Sequence, residues 1–275
     1  VTGTDRGSLP ASLTLVGAGK MGGALLKGWL DGGLDPDTTT VVDPQIGPDI
    51  AALCQERGIA LNPSQPPIAE VMVLAIKPQG LEAAAPKLAP LVGRDTLVLS
   101  ILAGKTLANL AERLPGTRAF VRTMPNLPAS IGRGATGAVA SAAVTPEQRR
   151  AADALLACSG LVEWVDDEAL IDVVTAVSGS GPAYAFLLAE ALADAGAKAG
   201  LPPEMAARLG RATVAGAGAL LDASPIEAGQ LRRDVTSPGG TTAAALAVLM
   251  REGGVPDLLT EAVEAARRRA GELAG

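Results

Sequence analysis

The chain has 275 residues, 48% of them hydrophobic and only 2% aromatic, with a formal net charge of -6 and no histidine. That length allows one large domain or two of ordinary size, and its apolar supply fills a substantial core through alanine, leucine and valine. The negative balance argues against nucleic acid, which needs a basic face, and the missing imidazole removes the commonest metal ligand and general base together.

Before the first strand, "VTGTDRGSLPA" carries no basic region followed by an apolar one, so no secretion signal is expected and the cytoplasm is the default. Charges interrupt the long hydrophobic stretches, and no membrane partner is expected. Cys54 and Cys158 are too few and too far apart for a disulfide framework, and read as small buried hydrophobes. With no Cys-x-x-Cys pair and no histidine, no metal site is expected.

The first predicted strand, "SLTLV" at 12–16, runs straight into "GAGKMG". Gly17, Gly19 and Gly22 stand in G-x-G-x-x-G order, with Ala18, Lys20 and Met21 between them, and "MGGALLKGWLDGG" continues with helical spacing. Gly17 allows a tight turn, Gly19 lets the backbone approach a pyrophosphate, and Gly22 lets helix and strand pack closely. The positive end of the helix dipole then faces the anion. After a strand and before a helix, the loop predicts dinucleotide binding; the bland reading is a glycine-rich connection serving packing alone.

The second strand, "TTVVD" at 39–43, ends on Asp43. An acid there hydrogen-bonds an adenosine ribose 2′-hydroxyl and repels a 2′-phosphate, which favours NADH over NADPH. The other reading of Asp43 starts an Asp-Pro turn, and both NADPH and NADH stay open as cofactors. "DIAALCQERG" at 49–58 comes next, then the strands "VMVLAI" at 71–76 and "TLVLSI" at 96–101, trailed by "TLANLAERLPG"; the two non-strand segments have helical spacing and a closing glycine. Strand and helix in alternation predict a mostly parallel sheet covered on both faces.

From Glu168 onward only helical periodicity appears, broken at "SGSGP", "GLPPE", "DASP", "SPGG" and "GGVPD". The expected division is a Rossmann-type α/β domain over 1–165 and an all-helical domain over 166–275. The second is alanine-rich, so its helices approach closely, and its limited volume calls for a partner chain. Arg267–Arg269, beside Glu261 and Glu264, read as a solvated helix face. Within this half, "DVTSPGGTTAAALAVLM" opens a helix behind two glycines and two threonines, a start suited to a small anion. Thr242 reads on its own as a helix cap.

Four further segments join the glycine loop: "VLAIKPQ" at 73–79, "RTMPNLPA" at 122–129, "AVSGSGPAY" at 176–184 and "DVTSPGGTT" at 234–242. In this order and spacing they resemble the pyrroline-5-carboxylate reductases, from about Leu13 to about Arg268. The resemblance implies a helical domain that interlocks with its mate in a homodimer, with dimers often assembling into decamers. It implies hydride transfer from NAD(P)H to the C=N carbon of a five-membered cyclic imino acid, giving L-proline in the last step of proline biosynthesis. By the same resemblance, Ala75, Lys77, Ala103, Asn126 and Asn62 lie along the cofactor. The substrate carboxylate rests on the amides around Ser237, Gly239, Gly240 and Thr241. Thr242 is the residue whose hydroxyl lies near the imine nitrogen and orients the ring, with proton donation as the alternative.

This chemistry has no need of histidine. A ketone reductase must protonate an alkoxide as hydride arrives, whereas an iminium carbon accepts hydride without a proton in that step. Two rival readings share the glycine loop. A β-hydroxyacid or ketopantoate-type dehydrogenase places a catalytic lysine on a helix of its second domain, where "VSGSGPAYAFLLAE" has none. A non-catalytic NAD(P)H-binding regulator gains nothing from "SPGGTT".

Overall fold

The structure, a computed structural model, describes residues 8–274. The chain forms two compact units: one runs to Gly179 and includes the last residues from Arg267, and the other is Ser180–Ala266.

The first unit carries β1 (Leu13–Val16), α1 (Lys20–Asp31), β2 (Thr39–Val42), α2 (Pro48–Arg57), β3 (Ala60–Leu61), β4 (Val71–Leu74) and α3 (Leu81–Leu88). It continues through β5 (Leu97–Ser100), α4 (Leu107–Arg113), β6 (Phe120–Met124), β7 (Gly134–Ala140), α5 (Pro146–Ala157), β8 (Gly160–Trp164) and α6 (Leu170–Val174). The eight strands make one sheet in the order β3-β2-β1-β4-β5-β6-β7-β8. Pairing is parallel throughout except between β6 and β7. Helices stand in the connections β1–β2, β2–β3, β4–β5, β5–β6 and β7–β8, whereas the connection over 125–133 is short and returns the chain antiparallel. The mostly parallel α/β class expected from the sequence is the class observed.

β1, β4 and β5 are buried at every position, as strands covered on both faces must be. Alternate residues serve opposite faces. Leu13, Leu15, Val71, Val73, Leu97 and Leu99 pack with Leu25, Leu26 and Trp29 of α1 and Leu155 of α5. Val16, Met72, Leu74 and Val98 pack with Leu81 and Leu88 of α3 and Leu110 of α4 on the other side. Trp29 is fully buried, and its indole N–H donates to the Leu155 carbonyl across 2.9 Å. The four strand runs read from the sequence are β1, β2, β4 and β5, trimmed where Asp43, Ala75 and Ile101 leave the ladder for the loops beyond.

The second unit holds α7 (Gly181–Lys198), α8 (Pro203–Ala223), α9 (Ala228–Asp234), α10 (Thr241–Leu249) and most of α11 (Val255–Ala274). α7 and α8 approach closely because one face of each is alanine and glycine. A Cβ added to Gly210 would stand 2.8 Å from the Ala189 carbonyl oxygen and 3.0 Å from the Ala193 nitrogen. α7 buries no residue, and Phe186, Leu187 and Leu188 are each more than half exposed. Arg267, Arg268 and Arg269 are exposed, and Arg269 pairs with Glu272 at 2.6 Å.

Leu170–Lys198 is long and apolar enough to cross a membrane by length and composition, with a mean hydropathy of 1.3 over its best window. Leucine, isoleucine, valine and alanine around the single charge of Asp172 raise that average. A π-helical turn at Thr175–Gly179 interrupts the stretch.

Candidate active site

The glycine loop sits where strand order reverses: β1 pairs with β2 on one side and β4 on the other, and ligands of such sheets bind at that crevice. Gly17 has φ +88° and donates its amide to the Val42 carbonyl at 2.9 Å. A Cβ at Gly17 would lie 2.8 Å from the Ala75 carbonyl, so only glycine fits. A Cβ at Gly22 would collide with the Gly17 carbonyl oxygen, which is the close helix–strand packing expected of the third glycine. Gly19 differs: nothing lies within 4 Å of its absent Cβ. It is the N-cap of α1, makes no side-chain cap bond, and no acid stands in the first turn. The amides of that helix end therefore face open space with no carboxylate competing for them, and the cradle fits a pyrophosphate.

A cleft of about 550 Å³ opens beside this end, lined by Gly19, Lys20, Met21, Ala75–Pro78, Ile101, Ala103 and Pro125. It brings together Gly19, Lys20, Met21, Ala75, Lys77 and Ala103, which the sequence offered as cofactor residues. Lys20 and Lys77 are exposed there.

Asp43 and Asn62 lie together at the ends of β2 and β3. Asp43 Oδ2 accepts the Ala18 amide at 2.8 Å, and Oδ1 accepts the Gln45 amide at 2.8 Å. Asn62, at φ +47°, exchanges two bonds with the Asp43 backbone: its Nδ2 donates to the Asp43 carbonyl and its Oδ1 accepts the Asp43 amide, each at 2.8 Å. The Asx turn and the contact with the loop coexist, so the two readings of Asp43 are not exclusive. Each carboxylate oxygen keeps a lone pair for a hydroxyl donor.

Asn126 stands apart from the other expected cofactor residues. It is 8% exposed, its Oδ1 accepts the Ala135 amide at 2.9 Å, and its Nδ2 donates to the Ser178 carbonyl at 3.0 Å.

In the helical unit, Ser237–Thr242 forms a tight turn into α10. Gly239 has φ +70° and open space around its absent Cβ. Gly240 donates its amide to the Ser237 carbonyl at 3.0 Å, and a Cβ there would strike the Ser237 hydroxyl. Gly240 is the N-cap and makes no side-chain cap bond, so Thr241 and Thr242 are the first two helical residues. The reading of Thr242 as a plain cap is corrected: the cap position belongs to a glycine that has no hydroxyl to offer.

Sequence reading assigned no role to a buried ion network behind the cleft. Arg122, on β6, is 3% exposed; it reaches Glu168 Oε1 at 3.0 Å and Asp172 Oδ1 at 3.3 Å. Glu168 Oε1 also accepts the Leu107 amide at 2.8 Å, completing the N-terminus of α4. The available signal was an arginine inside an apolar strand, which needs buried acids for company. Cys54 is buried, which raises its thiol pKa.

A pyrroline-5-carboxylate reductase of Pseudomonas aeruginosa is 41% identical over 265 residues, covering 95% of this chain and 96% of that one. The chain belongs to the pyrroline-5-carboxylate reductase family. The family model described as pyrroline-5-carboxylate reductase dimerisation matches residues 168–273, and one described as NADP oxidoreductase coenzyme F420-dependent matches 12–104. The solved pyrroline-5-carboxylate reductase of Coxiella burnetii superimposes with a TM-score of 0.88 at 34% identity, over 96% of this chain and 98% of that one. A pyrroline carboxylate reductase of Plasmodium falciparum, solved with NADP bound, gives 0.79 at 25% identity over 98% and 100%. Membership in the pyrroline-5-carboxylate reductase family sets aside both the dehydrogenase and the regulator readings, and accounts for a helical unit that leaves Phe186, Leu187 and Leu188 exposed in a single chain.

Proposed function

We propose that the protein reduces the C=N bond of 1-pyrroline-5-carboxylate with NAD(P)H, giving L-proline. The observation that carries this reading is a helix start with no side-chain cap behind Ser237, Gly239 and Gly240, in a chain aligned over 95% of its length with such a reductase. The sheet unit, which runs to Gly179, takes the dinucleotide, and the helical unit Ser180–Ala266 takes the imino acid and forms the dimer. When bound, the reduced nicotinamide supplies the hydride.

The chain's own residues do the rest. Gly17 and Gly22 hold the loop in shape, and the amides following Gly19 meet the pyrophosphate with Lys20 and Lys77 nearby. Asp43 and Asn62 serve the adenosine ribose, and Asp43 makes NADH at least as good a cofactor as NADPH. Ala75, Ala103 and Pro125 present small apolar walls on which a flat ring can lie. The amides around Ser237, Gly239 and Thr241 take the substrate carboxylate, the Gly240 amide being held by the Ser237 carbonyl to shape the turn, and the Thr242 hydroxyl bonds to the ring nitrogen. The iminium arrives carrying its proton, so holding two flat rings in register is the main catalytic demand.

Dimers formed through the helical domain assemble into decamers, in keeping with apolar side chains that α7 and α8 leave uncovered. The compartment is the cytoplasm, where a thiol such as that of Cys54 stays reduced. Initial rates of NADH and NADPH oxidation with the five-membered imine test this reading. Substrate-dependent oxidation is expected, and its absence with both cofactors overturns the proposal.

A further inference from the structure

Asn126 follows Pro125, a wall of the cleft, yet its own side chain is turned into the protein. Its carboxamide orientation is fixed by its partners: the Ala135 N–H can only donate and the Ser178 carbonyl can only accept. Ser178 closes the triangle by donating its hydroxyl to the Ala135 carbonyl at 3.3 Å. Three separate pieces of backbone therefore meet on one amide: the exit of β6, the start of β7, and the π-helical turn Thr175–Gly179. A π turn is a rare conformation, found mostly at functional sites, and needs support from outside itself.

Arg122, four residues earlier on the same strand, grips Glu168 and Asp172. Together the two side chains fasten the connector before and after α6 to the sheet, leaving Pro125 between two anchored points.

We propose that Asn126 is a positioning residue for hydride transfer: it sets the Pro125 wall and the π turn at the nicotinamide end of the cleft, and does not bind the cofactor. This rests on the reading of the cleft as the dinucleotide site. The adenosine half of the cofactor, at Gly19 and Asp43, lies on other strands and does not depend on the clamp. Reacting rings tolerate little displacement, so loosening the wall acts on turnover more than on affinity.

The test compares the intact enzyme with Asn126→Ala and Asn126→Asp. The second variant keeps the acceptor for Ala135 but sets a carboxylate against the Ser178 carbonyl. Kinetics with the imine and NADH are paired with titration of NADH and ADP-ribose by fluorescence or calorimetry. Turnover is expected to fall about tenfold to a hundredfold, with both dissociation constants within about twofold of the parent. A dissociation constant for NADH raised about tenfold, with turnover preserved, makes Asn126 a direct ligand and overturns the proposal. Unchanged kinetics in both variants overturn it as well. If Asn126→Ala does not fold, Asn126→Asp is judged by the same criteria. A parent enzyme that never oxidises NADH with the imine fails the functional reading instead, and that result is seen before any variant is made.

Discussion

The backbone amide of Ala18 donates to Asp43 Oδ2 across 2.8 Å, fastening the glycine loop to the end of β2. In the proposed reading, a carboxylate pinned there stands where the ribose 2′ position of a dinucleotide would lie. NADH is expected to be used at least as well as NADPH. Asp43→Ser should raise kcat/KM for NADPH about tenfold or more, since a like-charge contact is removed. Paired kinetics with both cofactors check this, and a large NADPH preference in the parent contradicts it.

Gly17 and Gly19 share a loop but differ physically, and alanine should separate their roles. Gly17→Ala forces a side chain into a backbone at φ +88° and against the Ala75 carbonyl. It should cost about 1–3 kcal/mol of stability, together with cofactor binding. Gly19→Ala meets open space at φ -66°, so melting should barely change while dinucleotide affinity falls. Thermal melts and dinucleotide titrations on both variants decide it. Normal binding by Gly19→Ala would mean the pyrophosphate lies elsewhere.

Thr242 sits at the second position of α10 behind a glycine cap. Thr242→Ala should therefore leave stability within about 0.5 kcal/mol. Turnover should fall or KM for the imine rise, with the dissociation constant for NADH unchanged. Unaltered kinetics would leave the hydroxyl without a function.

The Arg122 guanidinium is buried, its side chain 4% exposed, against two half-buried acids that are 29% and 22% exposed. Arg122→Met strands Glu168 and Asp172 and should cost about 3–5 kcal/mol. Urea denaturation measures it. Glu168→Gln should cost less, because the amide oxygen still accepts from Leu107 and Arg122.

Much of the sheet unit is legible in the sequence because long apolar runs such as "VMVLAI" belong to strands buried on both faces. The glycine loop is legible because each glycine answers a separate steric demand. β7 is harder to read: "GATGAVA" is glycine and alanine with one threonine and one valine, weak in strand formers. β8 alternates half-buried and exposed positions over only five residues. The antiparallel return at β6–β7 depends on connection length, and the π turn depends on Asn126 and Ser178 meeting across a wide sequence gap. The side-chain direction of Asn126 is a tertiary outcome: the resemblance set it along the cofactor, whereas the fold turns its carboxamide toward Ala135 and Ser178.

Initial rates on 1-pyrroline-5-carboxylate set against unsubstituted 1-pyrroline, with NADH, test most directly whether backbone amides at the start of α10 hold the acid of a cyclic imine. The expected result is rapid NADH oxidation with the carboxylate present and a kcat/KM about a hundredfold lower without it. Equal rates on the two imines, or none on either, would contradict it.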